Sequence, residues 1–409
     1  MRILYICRLY SGFEESCRSG QWQPKGAPTI ARMIETLDER DDIVLSPVFT
    51  CKDYNSGWTE RGDVTLRLSP LRANFKILAG QNAIPAFFGR LREKISDLRQ
   101  LLALWRAAQQ FKPDLIYCDR VNLFPAAVFS RLSKTPVIWR VMGILPQMHE
   151  TLDKNTWRAC LARFLYRSPF AAVICTREGS GGGQWMKRAL RPSVPTYEFL
   201  NGVSRDVKAE LLPDFPPNVF KVLFVGRLES LKGAVEFLEG FALAHVQYPA
   251  CHAIFAGDGA LASDLKALAK ERGLSASVSF LGSLNASQLK YVRDHSDIYV
   301  SLNKQGNLSN SNLEALADGL VSIVPASCPD TGIDTDTNTL IPPDVFYRFG
   351  KVGNAQALAE AILKFTNPSL RHEYHARTKA LAEKILPCWS ERIAQEMAVL
   401  KAIMERRAP

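Results

Sequence analysis

Short, almost unbroken apolar runs alternate with longer stretches of helical periodicity along most of the chain. Residues 2–7, 43–49, 115–118, 136–141, 171–175 and 196–200 read as strands. Residues 2–7 alternate too little for a surface strand and read as a central strand of a parallel sheet, buried on both faces. Between them, Ile30, Met33, Ile34 and Leu37 fall at helical spacing behind Pro28, a residue suited to a first helical turn. Leu91, Ile95, Leu98, Leu102 and Trp105 mark one face of another helix, which ends before Pro113. The helix at 156–166 mixes Trp157, Leu161 and Phe164 with Arg158 and Arg163; it reads as core-facing, with a membrane-surface helix as the alternative. Residues 11–29 are polar and glycine-bearing and predict an irregular loop, whereas 69–89 yield no assignable element.

The pattern breaks at 204–218, a polar stretch carrying Pro213, Pro216 and Pro217 that reads as an interdomain linker. It then repeats. Strands are expected at 222–225, 252–256, 278–281, 298–302 and 321–324, with helices at 233–246, 261–274, 288–293 and 312–317. Closing helices are expected near 355–364, 372–384 and 390–406. Strands separated by helices of this length form parallel β-α-β units, whose ligands sit at the carboxyl ends of the strands. The expected fold is α/β, with Rossmann-like doubly wound domains at 1–203 and 220–388, a linker at 204–219 and a C-terminal helix at 389–409.

Composition narrows the class. With 409 residues, 47% of them hydrophobic, the chain can fill two cores, which excludes extended disorder. Nine cysteines are scattered without a CxxC pair or metal-like spacing and fit a reducing compartment. The apolar run after Met1 is too short for a signal peptide, and no run approaches the roughly 20 residues of a membrane span, so a cytoplasmic protein is expected. The net charge of +10 falls in residues 1–220, while 221–409 is close to neutral. No helix-turn-helix, zinc-finger or aromatic RNA-binding signature accompanies that charge, which argues against nucleic acid. An anionic lipid surface or an acidic acceptor fits better, and implies peripheral association with the inner face of a membrane.

The candidate chemistry centres on residues 220–233, FKVLFVGRLESLKG. A buried strand stops at Gly226 and turns through Arg227 and Lys232 into a helix. A glycine there lets backbone approach a ligand, and a helix N-terminus offers unpaired N–H groups. Arg227 supplies a flat fork and Lys232 a point charge, a pair suited to the two phosphates of a diphosphate; the bland reading is an ordinary turn with solvated charges. Lys25 and Gly26 precede the helix that Pro28 opens and form a second loop that either faces phosphate or is plain surface. Gly257 and Gly282 end later strands, so one sheet edge is lined by close-approach loops. Asn307, Leu308, Ser309 and Asn310 lead into the helix at 312–317, with Glu314 in its first turn, where the helix dipole favours a carboxylate whether or not it binds ligand. The glycines of 179–183 lack the ordered spacing of a phosphate fingerprint; they read as a mobile loop without chemistry.

Taken in order, GRLESLKG, AGDG at 256–259, FLGSL at 280–284, LEALADG at 313–319 and TNTLIPP at 337–343 resemble the family 4 retaining glycosyltransferases of the GT-B fold. The first domain is similar in outline, through its opening strand and loop, KPDLIYCD, the RVMG strand end and NGV before the linker. The resemblance implies two Rossmann-like domains facing across a cleft, the first binding the acceptor and receiving the C-terminal helix. It implies that Arg227 and Lys232 bind the diphosphate of a UDP- or GDP-sugar and that Glu314 binds the ribose hydroxyls. Charge that develops on the leaving diphosphate is then met by fixed cations and helix N–H groups, so neither a metal nor another cofactor is required. Asp334 and Asp336 form an Asp-x-Asp that reads as loop, because metal-binding versions belong to a different, single-domain order.

Two positions depart from the family. Gly306 stands where it usually has a Glu contacting the transferred sugar, and Met142 where it usually has a His. Asn303, Asn307 or Ser309 would have to hold the sugar instead. A glycoside hydrolase would need two carboxylates flanking one sugar and would leave the diphosphate loop without purpose. The expected function is retaining, hexosyltransferase-like transfer to a glycan or lipid-linked acceptor in polysaccharide or glycoconjugate biosynthesis. The alternatives are a non-catalytic nucleotide-sugar-binding or partner subunit, favoured by Gly306 and Met142, and a GT-B-like nucleotide-sugar epimerase.

Overall fold

Two parallel sheets carry the buried apolar runs in the computed structural model, which describes all residues except 53–57, 59, 213–216, 305, 328–333, 335 and 407–409. The chain divides into unit 1, Met1–Thr176, Gly183–Phe199 and Glu391–Pro409, and unit 2, Arg177–Gly182 and Leu200–Ser390. Pro213 and Pro216 of the expected linker lie outside the described residues.

Unit 1 is built on β1 (Arg2–Arg8), β2 (Val44–Thr50), β3 (Val64–Arg67), β4 (Asn74–Leu78), β5 (Leu115–Asp119), β6 (Val137–Val141), β7 (Ala172–Thr176) and β8 (Thr196–Phe199). Their order is β3-β4-β2-β1-β5-β6-β7-β8, parallel except for β3 against β4. Its helices are α1 (Ser11–Ser19), α2 (Pro28–Glu39), α3 (Arg92–Phe111), α4 (Leu123–Leu132), α5 (Pro146–Asp153), α6 (Trp157–Tyr166) and α7 (Gly182–Ala189). β1 lies between β2 and β5, and its Ile3, Leu4, Tyr5 and Ile6 are fully buried because helices cover both faces.

At four places the structure corrects or adds to the sequence reading. Part of the expected loop at 11–29 is α1, which buries Phe13 and Cys17 one turn apart and ends at Gly20, whose N–H bonds the Ser16 carbonyl. The unassigned region holds β4, and β3 pairs with it at the sheet edge. Helix α3 turns Leu98 and Leu102 of its apolar stripe outward, 54% and 51% exposed, while Trp105 stacks on Phe129 of the core and Ser96, Gln100 and Leu104 are buried. Gln100 tolerates burial because its amide donates to the carbonyls of Cys51 at 2.8 Å and Ala79 at 3.0 Å. Helix α6 likewise sends Trp157, Leu161 and Phe164 to solvent instead of the core and buries Ala159 and Tyr166.

Unit 2 contains β9 (Phe220–Val225), β10 (Cys251–Ala256), β11 (Val278–Gly282), β12 (Ile298–Val300), β13 (Ser322–Val324) and β14 (Phe346–Arg348). All are parallel, in the order β11-β10-β9-β12-β13-β14, and β14 is an edge strand that the apolar pattern did not reveal. Around them lie α8 (Ala234–Gln247), α9 (Ala262–Glu271), α10 (Ala286–Asp294), α11 (Asn310–Ala317), α12 (Thr337–Leu340), α13 (Ala355–Lys364) and α14 (Pro368–Ile385). The final helix, α15 (Trp389–Glu405), packs on unit 1: its Ile393, Met397, Leu400 and Ile403 join the core formed with β1 and β5. Among the described residues no helix is long and apolar enough to cross a membrane.

Candidate active site

The strand order of unit 2 reverses between β9 and β12: β10 and β11 extend to one side, β13 and β14 to the other. A reversal of this kind opens a crevice at the carboxyl ends of the two strands, where doubly wound sheets take their ligands. The loops leaving β9 and β12 flank it, and the Lys304 N–H ties them by bonding the Leu231 carbonyl at 3.2 Å. The neighbouring turns are stitched to the same edge. Gly257 donates to the Gly282 carbonyl at 2.8 Å, and Leu228 to that of Asp258 at 3.0 Å. Gly257 sits at φ 146, and a Cβ there would come within 2.0 Å of the Gly226 carbonyl oxygen, so only glycine lets the two turns meet. Gly226, Gly257 and Gly282 thus form one continuous bare edge.

Both predicted cations belong to this edge. The Arg227 side chain is 70% exposed and pairs with Glu229 at 2.9 Å. Lys232 ends a single 3-10 turn, Ser230–Lys232, that leads into α8. It is half-buried; burial lowers its pKa, Glu178 acts against that shift and Arg227 adds to it. A partly desolvated ammonium beside a guanidinium is an arrangement that an anion would relieve. The N-cap residues of α8 and α11, Gly233 and Ser309, make no side-chain capping hydrogen bond, so neither occupies its own helix N-terminus in place of a ligand.

The β12 loop is held from the inside. Leu308 donates its N–H to the Glu178 carbonyl at 3.1 Å, and the Asn303 amide donates to the Gly306 carbonyl at 2.8 Å. Asn307 donates from its backbone to the Asp334 carboxylate at 3.3 Å and from its side chain to the other oxygen. Ser309 caps α11 by backbone alone and gives its hydroxyl to Asn312 at 2.7 Å, and Asn310 accepts from Asn201 at 2.6 Å. Asp334 is therefore a buried brace for this loop, and burial raises its pKa against the hydrogen bonds of Thr337 and Asn307. The glycines at 179–183 also differ from the expected mobile loop: Gly179 packs against Asn307 and Asp334, and Gly182 opens α7.

Gly306 has a physical reason. A Cβ on it would lie 2.3 Å from the Glu178 carbonyl oxygen and 2.6 Å from the Gly179 carbonyl carbon, so the packing of residues 178–179 leaves no room for a side chain. The substitution Gly306→Glu is accordingly expected to destabilise the protein by about 1–3 kcal/mol, the range for overpacking. Thermal unfolding measures this, and an unchanged midpoint would mean that residues 178–179 yield freely.

Glu314 is not in the first turn of α11, as expected from a start at 312, because the helix begins at Asn310. Dipole stabilisation at a first turn therefore does not account for it. Its carboxylate accepts from Arg293 Nη1 at 2.8 Å, and Arg293, only 6% exposed, also holds Asp318 at 2.5 Å. Burial raises the Glu314 pKa, and Arg293 counters it, so the guanidinium both orients the group and favours its charged form. Arg293, Glu178 and Asp334 were not singled out as site residues by the sequence pattern; their partners lie far along the chain.

Lys25 and Gly26 are exposed and stand in unit 1, before the left-handed Ala27 that precedes α2. Met142 follows β6, and its sulfur accepts a weak hydrogen bond from the Tyr10 hydroxyl at 3.6 Å. Asp119, at the end of β5, is fully buried and accepts from the Arg8 N–H at 3.0 Å and the Asn122 amide at 2.7 Å, so it organises the strand ends.

Residues 213–381 match the profile of the family described as glycosyl transferases group 1. That span includes all of the six-stranded sheet and both flanking loops. None of the curated proteins matches the chain in sequence. Among solved structures the chain is similar to sucrose-phosphate synthase from Thermosynechococcus elongatus, with a TM-score of 0.73 and 15% identity over 99% of this chain and 100% of that one. It is similar also to HepE of Anabaena in complex with UDP and glucose, with a TM-score of 0.65 and 15% identity over 98% and 100%. A third is a UDP-forming α,α-trehalose-phosphate synthase from Burkholderia vietnamiensis, with a TM-score of 0.67 and 14% identity over 98% of each chain. These likenesses give the chain the GT-B fold.

Proposed function

We propose that the protein is a retaining glycosyltransferase that moves a sugar from a nucleotide diphosphate sugar, UDP- or GDP-linked, to a glycan or lipid-linked acceptor bound by unit 1. The observation that carries the reading is the pair Arg227 and Lys232 at the reversal of the unit 2 sheet, beside two helix N-termini whose N-cap residues, Gly233 and Ser309, make no side-chain capping hydrogen bond. In this proposal the two cations and the first-turn amides of α8 and α11 contact the diphosphate and strengthen those contacts as the sugar–phosphate bond breaks. Glu314, oriented by Arg293, accepts hydrogen bonds from the ribose hydroxyls. In this proposal Asn303 and Ser309 hold the sugar in the absence of a glutamate at 306, while Asn307, buried and bonded to Asp334, braces the loop and makes no such contact. The leaving phosphate takes the proton of the acceptor hydroxyl on the same face, so no protein nucleophile is invoked, and no metal is needed for charge neutralisation. The UDP named in the HepE structure supports the donor class. Polysaccharide or glycoconjugate assembly at the inner face of a membrane fits the basic first half of the chain.

Gly306 favours one other reading, a nucleotide-sugar-binding subunit without turnover, because the packing there excludes the usual sugar-contacting side chain. One experiment separates the two. Purified protein incubated with a panel of UDP- and GDP-sugars and a membrane extract, with and without chelator, is expected to release nucleotide at the same rate in both, with the anomeric configuration retained in the product. Binding of a nucleotide sugar without any release would favour the subunit, and release abolished by chelator would remove the metal-free part.

A further inference from the structure

We infer that the outward face of α3, α4 and α6 docks unit 1 onto an anionic phospholipid surface. The face consists of side chains that a core would ordinarily claim. Leu98 and Leu102 of α3, Phe124 of α4 at 41% exposure, and Trp157, Leu161 and Phe164 of α6 at 69, 48 and 59% all reach solvent. They do not stand singly: Leu98, Phe124, Trp157 and Leu161 line one groove of about 640 Å³ between the three helices. Contiguous exposed apolar surface of this kind on a folded chain marks a contact with a partner or a membrane.

Charge selects between those occupants. The three helices carry seven basic residues, Arg92, Lys94, Arg99, Arg106, Arg131, Arg158 and Arg163, against Glu93 and Asp97. Asp97 pairs with Lys52 at 2.9 Å, Glu93 lies 3.8 Å from Lys94 and Arg99 pairs with Asp63 at 2.9 Å, so five arginines of these helices, Arg92, Arg106, Arg131, Arg158 and Arg163, remain in excess of the acids. Arginines also flank the aromatic rings directly, with the Arg131 guanidinium 4.1 Å from the Phe164 ring centre and that of Arg158 5.4 Å from Trp157. A second copy of the chain would set this basic face against itself, and a nucleic acid would leave the leucines wet. An anionic bilayer takes both components, since its headgroups meet the arginines while the indole, phenyl and leucine side chains enter the boundary region. This rests on the proposed membrane setting of the acceptor, but the surface is independent of the nucleotide site in unit 2.

Flotation of the full chain with phosphatidylcholine vesicles, with and without added phosphatidylglycerol, tests it. The protein is expected to float with the anionic vesicles at low salt and to stay behind with phosphatidylcholine alone. Replacing the three exposed apolar side chains of α6 together (Trp157→Ser, Leu161→Ser, Phe164→Ser) is expected to reduce retention by about tenfold or more, and Arg158→Glu to reduce it in a salt-dependent way. Thermal midpoints checked in parallel are expected to stay unchanged, because these groups are largely solvent-exposed. Equal flotation of the triple variant, or no flotation of the wild type, would overturn the inference, as would a concentration-dependent dimer that the triple variant abolishes. UDP affinity is measured on the same samples. Lost flotation with intact UDP binding sinks this surface alone, and absent UDP binding with intact flotation sinks the transferase reading alone.

Discussion

The variant Lys232→Ala is expected to turn over nucleotide sugar about 100-fold or more slowly than the wild type, the size of effect that follows loss of one fixed group from a developing anion. Arg227→Ala is expected to fall in the same range, but the two differ with pH. Arg227 is 70% exposed and keeps a carboxylate partner in Glu229. Lys232 is half-buried, and burial holds its ammonium below the ordinary lysine range, with Arg227 pushing the same way and Glu178 opposing. Its charged form is therefore lost at lower pH in the free protein than for a solvated lysine. UDP affinity is expected to fall on the alkaline side as that proton leaves, and binding at such pH to take up a proton. Arg227→Ala should retain this pH dependence and Lys232→Ala should abolish it. Isothermal titration in buffers of different ionisation enthalpy reads both. Near-normal turnover of Lys232→Ala, or an alkaline limb that survives in it, would remove the diphosphate assignment.

The sheets were legible because their central strands are buried on both faces and leave continuous apolar runs. What escaped was what lies at the edges or takes its cues from elsewhere. β3 and β4 carry Arg67 and Lys76 and pair at the margin of the sheet, where half the positions face water and the run breaks up. α1 exposes little periodicity, since its buried set includes Glu14 and Ser16 beside Phe13 and Cys17. α3 shows the opposite case: its stripe is correct as a helix signal but only part of it serves the core, because Trp105 packs inside and Gln100 finds two carbonyl partners there, whereas Leu98 remains outside.

The candidate site divides in the same way. Gly226, Arg227, Lys232, Gly257 and Gly282 are local features of strand ends, and a glycine or cation after an apolar run is readable without knowing the topology. Their meaning depends on the topology, since only the order β11-β10-β9-β12-β13-β14 puts the β9 and β12 loops together. The supports were not readable at all. Arg293 reaches Glu314 across 21 residues, Asp334 reaches Asn307 across 27, and the Glu178 carbonyl arrives from the segment 177–182 to close over Gly306. Hydrogen bonds between distant side chains leave no periodic trace, and the absent side chain at 306 reads as a loss until the backbone that occupies its place is seen.

The variant Glu396→Ala is expected to destabilise unit 1 by about 3–5 kcal/mol, the range for leaving a buried charge without its counter-ion. Glu396 is fully buried on α15, with Arg140 of β6 at 3.2 Å and Arg392 at 2.7 Å, and it accepts a hydrogen bond from the Tyr117 hydroxyl of β5. Arg140 and Arg392 are themselves fully buried, so removing the carboxylate strands two guanidinium groups in the core. Against a total domain stability on the order of 5–15 kcal/mol this is a large fraction, and α15 should be the element that opens. Burial by itself would raise the Glu396 pKa, but Arg140 and Arg392 outweigh it and hold the carboxyl below the usual range. A carboxyl lowered by folding contributes stability that is present above its unfolded pKa of about 4.3 and is lost as pH falls through its folded value. The wild type should therefore lose stability in acid more steeply than Glu396→Gln, which keeps the shape and removes the titration. Denaturant unfolding at neutral and acid pH, with hydrogen exchange on residues 389–405, measures both effects. A neutral-pH stability for Glu396→Ala within about 1 kcal/mol of the wild type would mean that water replaces the carboxylate and that the apolar contacts of Ile393, Met397, Leu400 and Ile403 alone hold the C-terminal helix in place.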